Sequence, residues 1–150
     1  MEKAEFVEFL NALFVPIGFK RKGNNWVING KEINKIINLQ KSQYSNSYYL
    51  NYSYIINSLP LNGFRSHLDF RLTSFDKDER EGIRELLNFE NEIDDAVRVV
   101  NLSKFIDDQI INQMRSVYTE KDLFEVLKGM KYRHTVPPFV LDYFDLTPEG

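Results

Sequence analysis

The chain of 150 residues contains no cysteine, only two histidines and a single tryptophan. Without thiols there can be no disulfide and no thiolate metal centre, which fits a reducing compartment and points to the cytoplasm. His67 and His134 stand apart from any H-E-x-x-H or zinc-finger spacing, so neither a metal nor another cofactor is expected. No apolar run approaches the ~20 residues that a membrane helix requires. The opening segment MEKAEFVEFL mixes acids with its apolar residues and reads as no secretory signal. Glycine is sparse, at seven residues, and forms no Walker or dinucleotide pattern. There is no G-x-S-x-G elbow and no Ser-His-Asp set, so no catalytic residue is assigned. Proline numbers five, and no repeat or low-complexity segment interrupts the chain.

Charge of either sign is also unremarkable in total. A net charge of −3 argues against a nucleic-acid partner, and the densest basic cluster, Lys20-Arg21-Lys22, alternates in direction on a strand instead of forming a stripe. The two halves differ, however. Residues 1–75 hold nine Lys/Arg against five Asp/Glu, and residues 76–150 hold ten against seventeen. Either two layers of opposite sign pack together, or a basic sheet surface meets an acidic partner.

What is present is a pattern that changes period. With 43% apolar and 27% charged residues, the chain reads as one folded domain spanning 1–150. Over residues 3–14, Phe6, Phe9, Leu10 and Leu13 recur at helical spacing, widened by Val7 and Phe14 and ended by Pro16 and Gly18. Five strands follow: one on Lys20-Arg21-Lys22, one on Trp26-Val27-Ile28, then about 31–41, 47–56 and 65–73. Asn29-Gly30 predicts a type I′ turn between the second and third. Short connections favour an antiparallel meander.

After Phe75 the texture is helical. Asp76 with Glu79 resembles a capping box, Asp94 or Asp95 starts a long helix to about 117, and Thr119 with Asp122 caps the last helix, closed by Gly129. The β-branched run Val97-Arg98-Val99-Val100 could instead form a short strand. The tail 131–150, with Pro137, Pro138, Phe139, Tyr143 and Phe144, is expected to dock on the body. The fold class is therefore α+β: an N-terminal helix, a five-stranded antiparallel sheet, and a helical C-terminal half packed on one sheet face.

Alternation divides each strand into an apolar and a polar face. Ile33, Ile37 and Leu39, then Leu50, Tyr52, Tyr54 and Ile56, then Leu68, Phe70 and Leu72 should face the helices. The opposite face should gather Asn38, Gln40, Tyr49, Asn51, Ser53, His67, Asp69 and Arg71. Such a set can hydrogen-bond a partner from several directions. An antiparallel sheet also commonly leaves one polar face in water. Two uses of this face follow. One is recognition of another protein, for example as an immunity-type inhibitor. The other is a small-ligand site or hydrolase-like enzyme, with Arg71 gripping an anion and His67, beside Asp69, exchanging a proton. Oligomerisation through an edge strand or the aromatic tail is a third use.

The stretch Gly18-Phe19-Lys20-Arg21-Lys22-Gly23-Asn24-Asn25-Trp26, then Ile37 to Ser42, Tyr49-Leu50-Asn51, and His67 to Leu72, resembles a bacterial family known as domain of unknown function 4304. The resemblance covers roughly residues 1–130. It implies a small α+β protein of bacterial origin and no particular activity. In that family a Gly often stands where Asp69 precedes Phe70-Arg71 here.

Overall fold

The computed structural model describes residues 1–149. Helix α1 occupies Lys3–Phe14, its first turn tied by the Glu5 carboxylate, which accepts the Glu2 N–H at 3.1 Å. Phe6, Val7, Leu10 and Phe14 are its buried residues, with Phe9 and Leu13 at the margin of the stripe. A 3₁₀ turn over Val15–Ile17 and Gly18, at φ 108°, reverse the chain into the sheet.

Five strands follow in spatial order β1-β2-β3-β4-β5: Lys20–Lys22, Asn25–Asn29, Ile33–Lys41, Tyr48–Ile56 and Leu68–Arg71. Every neighbouring pair is antiparallel. The expected meander is therefore observed, with β5 shorter than the 65–73 read from the sequence.

Its turns differ in one respect from the expectation. Gly23, at φ 61°, is the first residue of the two-residue β1–β2 hairpin, where a glycine relieves the strain of a positive φ. Asn29 and Gly30 have negative φ, so the β2–β3 connection is no type I′ turn. It is held by side chains instead: Asn34 Oδ1 accepts the Gly30 N–H at 3.1 Å, and Asn57 Nδ2 donates to Gly30 O at 2.9 Å. A Cβ at Gly30 would stand 2.4 Å from the Ile33 carbonyl oxygen. Glycine is thus required there for close approach of backbone, not for its φ.

The second half is helical: α2 (Lys77–Leu86), α3 (Asp95–Phe105), a π-helical turn (Ile106–Ile111), α4 (Asn112–Met114), α5 (Glu120–Gly129) and α6 (Pro138–Tyr143). Asp76 caps α2 by accepting the Glu79 N–H, and Thr119 with Asp122 forms a reciprocal capping box on α5. Val97 to Val100 are helical. The expected long helix runs from Asp95 to Met114 but changes pitch within it. Leu102, Ile106, Ile110 and Met114 are all buried. They repeat every four residues, whereas an α-helix turns every 3.6, so such a stripe drifts by about 40° per step. A π turn is wider than an α turn, and placed here it keeps the stripe on the sheet.

The helices cover one face of the sheet. Trp26 Nε1 donates to Asn11 Oδ1 of α1 at 2.8 Å, and Tyr54 donates to Gln113 Oε1 of α4 at 2.7 Å. Val136, Val140 and Leu141 from the tail join the same core. Burial alternates along β3 and β4, with buried residues on the helix side and partly exposed ones opposite. The second face has no covering layer among the described residues. No described helix is long and apolar enough to cross a membrane.

Candidate functional site

On the open face the strand register builds rows. Lys22 pairs with Asn25, Asn25 with Asn38, Asn38 with Asn51, and Asn51 with Arg71, one residue from each of the five strands. The next row is Lys20, Val27, Ile36, Ser53 and Asp69. Gln40 pairs with Tyr49 beyond the first row. Cross-strand neighbours lie ~5 Å apart, close enough for short amide side chains to bond directly.

They do so in an unbroken line. Arg71 Nε donates to Asn51 Oδ1 at 3.0 Å, Asn51 Nδ2 donates to Asn38 Oδ1 at 3.2 Å, and Asn38 Nδ2 donates to Asn25 Oδ1 at 2.8 Å. Gln40 Oε1 accepts twice, from Asn51 Nδ2 at 2.9 Å and from Arg71 Nη2 at 3.2 Å. The Arg71 guanidinium carbon lies 4.1 Å from the centre of the Tyr49 ring. Arg71 is thus fixed from below by an aromatic ring and from one side by two amides, while its side chain remains exposed.

The electrostatics follow from the same rows. Lys20, Lys22 and Arg71 bring positive charge to the open face, and Asp69 is the one acid in the two rows that cross all five strands. Desolvation pushes the Asp69 carboxyl up from the ordinary carboxylate range, opposed by Arg71, the Phe70 N–H and Arg65. Ser53 lies between Ile36 and Asp69, and beyond it Ile36 and Val27 make the row apolar toward β2. The acidic residues of the second half lie on the helical layer, so the two layers do differ in sign.

His67 does not belong to this face. The β5 ladder begins at Leu68, and the imidazole turns into the core, where the residue is 0% exposed. Nδ1 accepts the Ile56 N–H at 2.8 Å, so the proton sits on Nε2, which lies 3.1 Å from the Pro60 carbonyl oxygen and donates to it. The ring packs against Phe139 of α6 at 6.0 Å. The physical reason is local: β4 is longer than β5, and the N–H left over at Ile56 takes the imidazole as its acceptor. The pairing of His67 with Asp69 as a general base is therefore overturned. Of the residues expected on the face, Asn38, Gln40, Tyr49, Asn51, Ser53, Asp69 and Arg71 are there.

Lys20, Lys22 and Asn25 complete the face; from the sequence the two lysines stood only as part of a basic cluster that alternates in direction, and Asn25 was not assigned to the face. Their signal was the tight Gly23-Asn24 hairpin, which sets Lys22 opposite Asn25. Two surface depressions lie elsewhere: one of about 490 Å³ lined by Arg84, Glu85, Asn88, Asn91 and Ile93, and one of about 170 Å³ under the tail near Arg133 and Leu141. Among the described residues no group of three or more His, Asp or Glu is placed to hold a metal ion.

A family model described as a domain of unknown function (DUF4304) matches residues 10–126, which include all five strands and every residue of the open face. Neither the curated proteins nor the solved structures compared with the chain contain a match.

Proposed function

This chain belongs to the domain of unknown function 4304 family, and from that premise we propose that it is a non-enzymatic recognition protein of the bacterial cytoplasm. Its open sheet face receives an acidic surface of another protein. The observation that carries this reading is the uncovered five-strand face with Lys20, Lys22 and Arg71 around a hydrogen-bonded amide row. A prearranged polar surface loses little side-chain freedom on binding, and complementary charge steers the encounter. Val27, Ile36 and Ile55, half-buried on the same face, add apolar area of the kind a protein partner covers. An immunity-type inhibitor, which blocks an acidic surface by lying on it, is one form of such a protein.

A single-stranded nucleic acid fits less well. Sheet faces that bind it offer free aromatic rings for base stacking, and here the Tyr49 ring already carries the Arg71 guanidinium.

The test is an NMR titration of the protein with a hexaglutamate peptide, alongside a single-stranded oligonucleotide. We expect peptide-induced shifts confined to β1–β5 residues of the open face, weakened by salt and abolished by Lys20→Glu, Lys22→Glu and Arg71→Glu together. Shifts on the helical layer alone, a preference for the oligonucleotide, or no response at millimolar peptide would overturn the reading.

A further inference from the structure

The amide row has a direction, and a single residue imposes it. A guanidinium can only donate, so Arg71 forces Asn51 to turn its oxygen toward β5. The Asn51 nitrogen must then point toward β3 and find an acceptor, which turns the Asn38 oxygen toward it. The Asn38 nitrogen in turn meets the Asn25 oxygen. Three amides on three strands are aligned with oxygens toward Arg71 and nitrogens toward β1. Aligned hydrogen bonds polarise one another. The row therefore ends at the β1–β2 corner with Asn25 Nδ2, a donor, on the residue whose cross-strand partner is Lys22.

We infer that Arg71 is a positioning residue for a carboxylate-binding corner formed by Lys20, Lys22 and the Asn25 side-chain amide. That corner takes a carboxylate of the acidic partner segment. The inference rests on the proposed recognition role of the face. It adds where the first carboxylate docks and what sets the corner's preference for an acceptor. Strands are spaced ~4.8 Å apart, so Arg71 acts over about 14 Å on Asn25. That exceeds the Debye length of ~8 Å at physiological salt, and a direct effect of its charge on an exposed corner is largely screened.

The experiment uses the full chain and the hexaglutamate peptide, reading the Asn25 side-chain NH2 resonances and the through-hydrogen-bond coupling from Asn38 Nδ2 to the Asn25 side-chain carbonyl. Glutamate can only accept, so Arg71→Glu should reverse the row and turn the Asn25 oxygen outward. We expect that coupling to vanish and peptide affinity at physiological salt to fall about five-fold beyond the loss in a charge-matched control, Arg65→Glu, the weight of roughly one hydrogen bond. Arg71→Lys, which keeps a donor, should restore both. Asn51→Asp keeps Arg71 paired but cannot donate to Asn38, so it should cut the row and reproduce the loss at Asn25 without touching Arg71. If Arg71→Glu and Asn51→Asp leave the Asn25 coupling intact, or bind no more weakly than Arg65→Glu, the inference fails while the face remains a recognition surface. If the peptide does not reach the face of the unsubstituted protein, the parent reading fails and this one with it.

Discussion

Replacing Arg98 with methionine tests whether a buried cation without a carboxylate partner can hold two layers together. Arg98 lies on α3, is 1% exposed, and donates to the backbone oxygens of Leu86, of Asn91 at 3.0 Å and of Asn88 at 3.4 Å. Its guanidinium carbon lies 4.9 Å from the Phe89 ring centre. The segment it holds pairs with the end of the β3–β4 hairpin: Tyr48 N–H donates to Leu87 O and Phe89 N–H to Asn46 O, each at 2.9 Å. Hydrogen bonds from a charged donor stabilise by ~1.5–3 kcal/mol each, and the Leu86 and Asn91 bonds together give ~3–6. Against this, Nε is buried without a partner, and its removal returns ~1–3 kcal/mol. Arg98→Met should therefore cost ~2–3 kcal/mol, a fall in Tm of roughly 4–12 °C for a domain of this size. Urea unfolding gives the free energy, and hydrogen exchange should show the amides of Tyr48 and Phe89 opening first. Buried charges replaced by hydrophobic residues sometimes raise stability. An unchanged or higher urea midpoint in Arg98→Met would refute the reasoning that these carbonyl bonds outweigh the buried charge.

Two other buried polar residues give predictions of different sign. Burial lowers the Lys35 amine from its ordinary 10.5, opposed by Asp122, and the side chain rests on Tyr118 with Nζ 4.0 Å from the ring centre. Between the lowered value and 10.5 the unfolded chain binds more protons than the folded one, so stability should rise with pH across that window. Lys35→Met should remove that slope and add about 1 kcal/mol at pH 7; urea midpoints from pH 7 to 11 decide, and a flat wild-type profile would sink the argument. His67→Phe leaves the Ile56 N–H and the Pro60 carbonyl without partners, which should cost ~2–4 kcal/mol. Its signature is faster hydrogen exchange at Ile56, and unchanged exchange there would show that the imidazole is not the acceptor that matters.

The parts of the fold legible in the sequence are those decided by local chemistry. The α1 stripe, the Asp76 and Thr119 caps, and the alternation of β3 and β4 depend on residues a few positions apart. What alternation could not reveal is where a ladder stops. The β5 ladder begins at Leu68, not near residue 65, and His67 just before it turns into the core instead of the open face. Asn29-Gly30 carries the residues of a tight turn, yet Asn34 and Asn57 hold the loop from a distance of sequence that local propensity does not see. Arg98 and Lys35 look like surface residues in sequence, and only the packing of α3 on its loop and of Tyr118 over β3 buries them. Of the candidate site, the amides Asn38, Gln40 and Asn51 were legible and Asn25 was not. Their line of bonds was not, because it depends on the register of four neighbouring strands at once.

The strands of this sheet lie side by side in the order in which they are synthesised. A growing chain can therefore zip β1 to β4 as each emerges, since every contact is with the strand just made. Asn25, Asn38 and Asn51 are then already in a row, yet without Arg71 nothing dictates which way their amides point. The last contact to form, β4 with the edge strand β5, supplies the missing guanidinium. The open face thus becomes a single oriented object only when the whole meander is closed. A truncated or half-folded chain would display the same side chains with no agreed direction.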